Sequence, residues 1–453
     1  MPGLQSTRPS RPDTVADLPV ANEIGKLPSR GGRWRWVFGL APGFGVLVSA
    51  GWMLCAVYRA GAQSWAGPAW IALALVECGY MMLQSILWLR YRPFVAPGAE
   101  PPTLTVIIPA YNEGPMIARS IRSVLDADYP AERLEILVVD DGSRDDTYFH
   151  MEHLRRGNPE RVRLIRFRGN RGKRAGLYEA IRAARGDIVL TLDSDSEVER
   201  DTLREMVAPF LADPRVGGVA GRVTVLNRRH LIGRMLAVQF ALAFDFGRAA
   251  QSTYRAVACC PGALSAFRRA LILPHLDGWL HQRFWGRPVS HGEDQALTNI
   301  ILRAGYDTVF QRTAVVRTLT PERYRQLARM LTRWDRSFIV EGFAFARFML
   351  TRYRDRDRLL PIVAFVMTNV RIVLLYTGLA LLPSFLGQHP QLAPPYALAF
   401  VVASVMPALY HLQHERNLSF LWGVLYSFYA FLLLQWTLPW ALLTVRDERW
   451  GTR

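Results

Sequence analysis

The sequence predicts an α/β domain with a mostly parallel sheet, inserted between two groups of apolar helices. Three observations carry this expectation. Hydrophobic residues make up 50% of the chain at a mean hydropathy of +0.07, and the apolar excess gathers toward the two ends. Residues 37–58 and 68–89, and later 359–386, 396–412 and 419–445, approach or exceed the roughly 20 residues that cross a bilayer. Between these groups, apolar runs of strand length alternate with helical periodicity, the pattern of parallel strands joined by crossover helices.

In chain order, residues 1–33 hold Ser, Pro, Arg and Gly without apolar period and read as a disordered basic tail. They are not a secretory signal, because the apolar segment that follows lacks a small-residue cleavage pattern and is succeeded by a second one. Within the 34–92 region, Arg30, Arg33 and Arg35 stand before or at the start of the first apolar stretch, and Arg90 and Arg92 follow the second. The positive-inside rule then places both flanks in the cytoplasm. Glu77, inside the second stretch, is an unpaired acid in lipid and is expected to face protein or water. After a Pro- and Gly-rich linker, the α/β domain is expected over 103–320. Its first strands are expected at 104–109, 134–139 and 162–166, with helices at 116–126, 145–155 and 175–184.

A further strand starts at Gly186 and delivers Asp193 and Asp195 to its carboxyl end, where open α/β sheets bind ligands. At i and i+2 two strand carboxylates share a side. They can converge on one hard cation, Mg²⁺ or Mn²⁺, shared with substrate phosphates. Alone, such a tripeptide is more often an acidic turn. Two further clusters on the same sheet edge change that balance: Tyr111 and Glu113 after the first strand, Asp140 and Asp141 after the second. An aromatic ring, acids that accept from a base or ribose, and a metal pair suit a nucleotide diphosphate. Residues 169–174, including Lys173, form a basic loop able to lie over phosphates. It is not a P-loop, because Arg174 follows Lys173.

The formal charge of +17 suits cytoplasmic loops beside anionic lipid, or an anionic substrate. Nothing points to nucleic acid: there is no zinc-ligand spacing and no basic helix with heptads. Cys55, Cys78, Cys259 and Cys260 offer neither a disulfide framework nor a structural zinc site.

With Tyr111, Asp141, Asp193 and Asp195 in this order, the chain resembles the family 2 glycosyltransferases. Residues 243–252, 259–265, 292–299 and 333–338 look like segments of hyaluronan synthases and of nodulation-type chitin oligosaccharide synthases. The ending Trp450-Gly451-Thr452-Arg453 is similar to that of hyaluronan-type synthases. The resemblance implies a GT-A-like domain that binds UDP-sugar donors through Tyr111, Glu113, Asp140, Asp141, Lys173, Asp193, Arg333, Trp450 and Arg453. It also implies Mg²⁺ or Mn²⁺ at Asp195 with Asp193, Asp294 as the general base, and Trp334 with Cys259 at the acceptor. Inverting transfer from a UDP-sugar needs one base and, with a metal on the leaving group, no second carboxylic acid. By themselves, Glu293-Asp294 read equally well as a helix N-cap, and 325–334 as part of an amphipathic interface region over 321–356. Two departures from the resemblance bear on which sugar is used: Met330 in place of Gln, and Pro261-Gly262-Ala263 in place of Ser-Gly-Pro.

In the 357–446 region, Asn369 and Arg371 are expensive in lipid and suit a polar channel wall. Two spans before the domain and three after it would leave the 447–453 tail outside, whereas Arg446, Arg449 and Arg453 favour the cytoplasm. The last stretch, with Pro439 in it, is therefore expected to break and return to the inner face or to lie in the interface. The expected function is processive, inverting polymerisation of a β-linked glycan, hyaluronan-like or chitin-like, with export through the enzyme's own membrane segments. The site would face the cytoplasm from a bacterial-type inner membrane. The expected partners are UDP-sugar donors, the growing glycan and membrane lipids, with homo-oligomerisation left open. The alternatives are single transfer to a lipid-linked acceptor and an inactive scaffold. The scaffold reading would be indicated by loss of Asp193, Asp195 or Asp294, and all three are present.

Overall fold

Runs of β-branched and aliphatic residues bounded by turns set the sheet. The computed structural model describes residues 34–59, 66–413 and 418–447. The expected tail at 1–33 lies outside the described residues, as do Trp450 and Arg453. Strand β1 (Leu104–Ala110) is buried along its whole length. It pairs in parallel with β2 (Leu134–Asp140), which pairs in parallel with β3 (Val162–Arg166). On its other side β1 meets β4 (Ile188–Leu192), again in parallel. The crossovers are the helices Met116–Leu125, Thr147–Gly157 and Lys173–Ala183. Alternation along β1 sends Val106 and Ile108 into one apolar layer and Ile107 into the other, so helices cover both faces. Gly186 lets β4 close on β1, since a Cβ there would lie 2.5 Å from the Thr105 amide nitrogen.

Beyond β4 the pattern changes. The chain continues through β5 (Ser196–Val198), β6 (Val216–Val225), β7 (Leu264–Arg268), the short hairpin β8 (Arg283–Phe284) and β9 (Arg287–Pro288), and β10 (Asp307–Thr318). The large sheet has the order β3-β2-β1-β4-β7-β6-β10-β5. The sheet is mostly parallel, as expected, with two reversed strands: β7 lies antiparallel between β4 and β6, and β5 antiparallel on β10. The reversal positions the site. Because Leu264 pairs with Leu192, the amino end of β7 and the turn before it sit at the carboxyl end of β4.

Around the domain stand the apolar helices. Leu359–Gln388 and Pro390–Leu412 are each long and apolar enough to cross a membrane. Leu418–Leu433 and Thr437–Leu443 meet at a 46° bend, as one broken span or a segment that turns back. The helices Trp34–Arg59 and Ala66–Arg90 precede the domain. Glu77 is not the unpaired acid expected: Arg371 Nε lies 2.9 Å from its Oε1. Asn369 donates to Phe365 O on its own helix at 2.8 Å.

The same helices are fastened to the sheet by polar contacts. Trp88 Nε1 donates to Tyr410 Oη at 3.0 Å. Tyr91 Oη donates to Phe310 O at 2.9 Å and accepts from Arg312 N at 3.0 Å. Phe94 exchanges two hydrogen bonds with the Gln311 side chain. Beneath them the fully buried Asp245 accepts from Arg312 Nε at 2.6 Å, with Arg222 Nε 3.6 Å away.

Candidate active site

The first cluster forms where β1 and β2 end. Tyr111 lines a cavity of about 430 Å³ together with Gly142, Ser143, Arg144, Arg166 and Phe167. The turn that shapes it requires glycine at 142: its φ is +73°, and a Cβ would lie 2.6 Å from Gly169 Cα. Asp140 accepts from Ser143 N at 2.9 Å and has Arg166 Nε at 3.2 Å. Asp141 does not line the cavity; its two oxygens accept from the backbone nitrogens of Arg171 and Gly172 at 2.7 and 2.9 Å. It therefore anchors the turn that starts the next helix. Burial raises its pKa against the pull of those two amides.

That helix begins at Lys173, so the basic loop expected over 169–174 ends at Gly172, and Lys173 and Arg174 lie on the first turn of the helix. Lys173 Nζ is held between Asp193 Oδ1 at 2.6 Å and Glu293 Oε1 at 2.8 Å. Against the upward pull of burial, Lys173 keeps the Glu293 carboxyl down at about 2. Asp193 and Asp195 are both placed past the end of β4, but in a turn and not at i and i+2 of a strand. Asp195 Oδ1 accepts from Thr318 Oγ1 at 3.2 Å, and Glu113 is tied to the same turn through Ser194 Oγ at 2.9 Å. The donor chemistry fits a hard divalent cation. Two carboxylates offer oxygens alone, and too few for a closed shell, as suits an ion that keeps water and substrate oxygens.

Asp294 lies on the first turn of the helix Glu293–Arg303, behind Gly292 at φ +73°. Its Oδ2 accepts from Gly262 N at 2.8 Å and its Oδ1 from Gln295 N at 2.8 Å. Burial first, and the neighbouring Glu293 second, raise its proton affinity. A Cβ on Gly262 would lie 3.7 Å from both Asp193 Oδ1 and Asp294 Oδ2, and 2.8 Å from Lys173 Nζ. The turn before β7 thus packs three ionisable groups around one bare backbone position. Cys259 Sγ is 3.8 Å from Asp294 Oδ2, and burial pushes its thiol well up.

From Asp294 the contacts run on to Trp334. Buried Arg248 lies near Cys259 and Asp294, and its guanidinium stands 4.3 Å above the Phe244 ring. Phe244 meets Trp334 edge-on at 6.0 Å, and Phe240 lies 6.2 Å from it. Trp334 keeps 38% of its surface exposed, on the helix Tyr324–Phe348. Arg333 precedes it, and its charge acts on Glu293 and His291. Met330 is buried in the apolar layer with Leu327, so the side chain at that departure from the resemblance packs in the core. The other departure carries the amide that holds Asp294.

Sequence reasoning missed the support of this site. Arg174 donates to Trp279 O, Gln282 Oε1 and His291 O, while buried Glu341 accepts from Gln282 and Asn299. These residues come from distant elements, and no local spacing announces them.

Residues 105–273 match the family described as Glycosyl transferase family 2. An N-acetylglucosaminyltransferase of Azorhizobium caulinodans is 32% identical over 357 residues, 78% of this chain and 87% of that protein. A hyaluronan synthase of Streptococcus pyogenes serotype M1 is 30% identical over 386 residues, 83% of this chain and 88% of that protein. Among solved structures, a mannosyltransferase from Pyrobaculum calidifontis in complex with GDP-Man and Mn²⁺ shares the fold, with a TM-score of 0.52. It is 23% identical and covers 91% of this chain and 99% of its own.

Proposed function

This chain belongs to glycosyl transferase family 2, and from that premise we propose that it is a processive, inverting UDP-sugar hexosyltransferase that builds a β-linked glycan and passes it across the membrane. The observation that carries the reading is the crowding of Lys173, Asp193 and Asp294 around Gly262, continuous through Arg248 and Phe244 with Trp334.

The donor's uracil and ribose are taken up by the cavity beside Tyr111, with its diphosphate directed toward Asp193 and Asp195. A Mg²⁺ or Mn²⁺ ion held by Asp195 with Asp193 would neutralise charge on the departing diphosphate. Lys173 supplies a fixed positive charge beside the same carboxylates, and Arg333 approaches from the interface helix. Asp294, held by two amides, takes the proton of the acceptor hydroxyl as that oxygen attacks the anomeric carbon from the side opposite UDP. Trp334 offers an apolar platform to the face of the terminal sugar. Such a surface grips a ring without fixing one hydroxyl pattern, as a chain that advances after each transfer requires. The relatives' names favour N-acetylglucosamine as donor sugar, alone or alternating with glucuronate. The domain would face the cytoplasm, where UDP-sugars are made.

Purified full-length protein in lipid, given one UDP-sugar or one pair at a time, tests this by UDP release and product length. Long products from a single donor or a pair are expected. Products carrying one added sugar under every donor would overturn processivity.

A further inference from the structure

The hairpin β8–β9 breaks a local rule. It turns through Trp285 and Gly286, since Phe284 pairs with Arg287. Both central residues have positive φ, +47° and +81°, the backbone of a type I′ turn that Asn-Gly suits best. A bulky aromatic residue at positive φ is a strained exception, and such exceptions persist where the direction of the side chain matters. The strain does not serve burial. Trp285 is 57% exposed; it stacks on Phe284 at 4.7 Å and carries that apolar surface outward, beside exposed Phe343 at 6.2 Å.

The inner side of the hairpin is fastened. Phe284 and Val289 are buried with Val340, of the helix Tyr324–Phe348, and with Val445. Val445 follows Thr437–Leu443, an apolar helix whose Trp440, Leu442 and Leu443 are exposed. The aromatic tip therefore stands where the chain leaves its last apolar helix. Charge of one sign surrounds it. Arg283 and Arg287 flank the turn, both exposed, and the Arg446 guanidinium lies 5.5 Å from the centre of the Trp285 ring. Residues 278–292 contain no Asp or Glu, and Asp447, next to Arg446, lies 3.6 Å from Arg336. Arg174 donates to Gln282 Oε1 and to His291 O, so both feet of the hairpin are tied to the turn that leads into Asp294.

Tryptophan with arginine at the end of an apolar segment is the composition that settles at the headgroup level of an anionic bilayer. We propose that the Trp285 hairpin is a membrane contact of the catalytic domain, its ring and Phe343 entering the headgroup region and Arg283, Arg287 and Arg446 meeting lipid phosphates. A neutral glycan would use the ring but not three arginines. The contact fixes the depth of the Asp294 helix against the bilayer. It rests on the reading of the apolar helices as membrane spans.

The test uses the full chain in phosphatidylcholine vesicles, with and without phosphatidylglycerol, and reads no turnover. Trp285→Asn suits the turn, so wild-type fluorescence minus that of the variant isolates Trp285, with Trp285→Phe as a second reference that keeps an aromatic ring. Lipids spin-labelled at the headgroup or at the end of an acyl chain serve as quenchers. The headgroup label is expected to quench the difference signal about twofold more than the deep one, as for a ring in an aromatic belt. Phosphatidylglycerol is expected to strengthen that quenching, and Arg283→Gln with Arg287→Gln to cancel the gain. A difference signal that aqueous acrylamide reaches and neither lipid label touches, or that only a chitin or hyaluronan tetrasaccharide shields, overturns the inference and leaves the transferase reading standing. Exposed Trp436 and Trp440 contribute to the total signal. Lipid labels that leave even that total unquenched overturn the membrane reading as well.

Discussion

Asp294 works as a base only when ionised, yet burial and Glu293 both favour its protonated form. Turnover should therefore rise with pH along an acid limb displaced above the roughly 3.9 of an ordinary aspartate. Asp294→Asn should remove that limb and cost on the order of 10² to 10⁴ in rate, with UDP binding retained in a titration. Wild-type turnover by that variant would remove the assignment. Gly262 is the more exacting residue. Alanine keeps the amide that holds Asp294, but its Cβ would stand 2.8 Å from Lys173 Nζ. Displacing that ammonium should lower kcat by about 10²-fold, as small misplacements in a catalytic cluster do. A Gly262→Ala enzyme with normal kcat would show that Lys173 moves freely.

At the scale of elements, the strands β1 to β4 were legible because each is a short apolar run, and β1 to β3 each lead into a helix. β7 was not. Its place between β4 and β6 is set by pairing across more than seventy residues, as between Leu192 and Leu264, and no local period encodes it. The acids Asp193, Asp195 and Asp294 could be found by type and order. The shared dependence of Asp193 and Asp294 on Lys173 and Gly262 became visible only once the reversed strand brought its turn to the end of β4. The buried pairing of Asp245 with Arg312 and Arg222 was equally hidden, since its members lie on a π-helical turn and on β10 and β6. Asp245→Asn leaves two buried guanidinium groups without their anion. It should destabilise the protein by about 3–5 kcal/mol, read as a lowered midpoint in thermal unfolding. A melting curve unchanged by the substitution would mean that water reaches the cluster.

Across the whole molecule, the apolar helices before and after the domain are joined inside the membrane region by Glu77 and Arg371. Glu77→Leu strands an arginine, at a cost of about 2.5–3.5 kcal/mol for a charge near mid-bilayer. The double variant Glu77→Leu with Arg371→Leu should recover most of the loss in a detergent melting series, because an apolar pair needs no partner in lipid. A double variant as weak as the single one would give the pair a role beyond mutual neutralisation. The sequence showed both charges and placed them in apolar stretches; it could not show that two segments almost three hundred residues apart bring them together.

The hydrogen bonds of Tyr91 and Phe94 to the middle of β10 bear on how the enzyme can be handled. A gene fragment trimmed to begin at the linker would discard Trp88 and Tyr91, uncover the Arg312 side of the Asp245 cluster, and release the fastening of β10. Excision would yield a partly unravelled sheet and not a soluble catalyst, so donor recognition has to be measured on the intact, lipid-embedded chain.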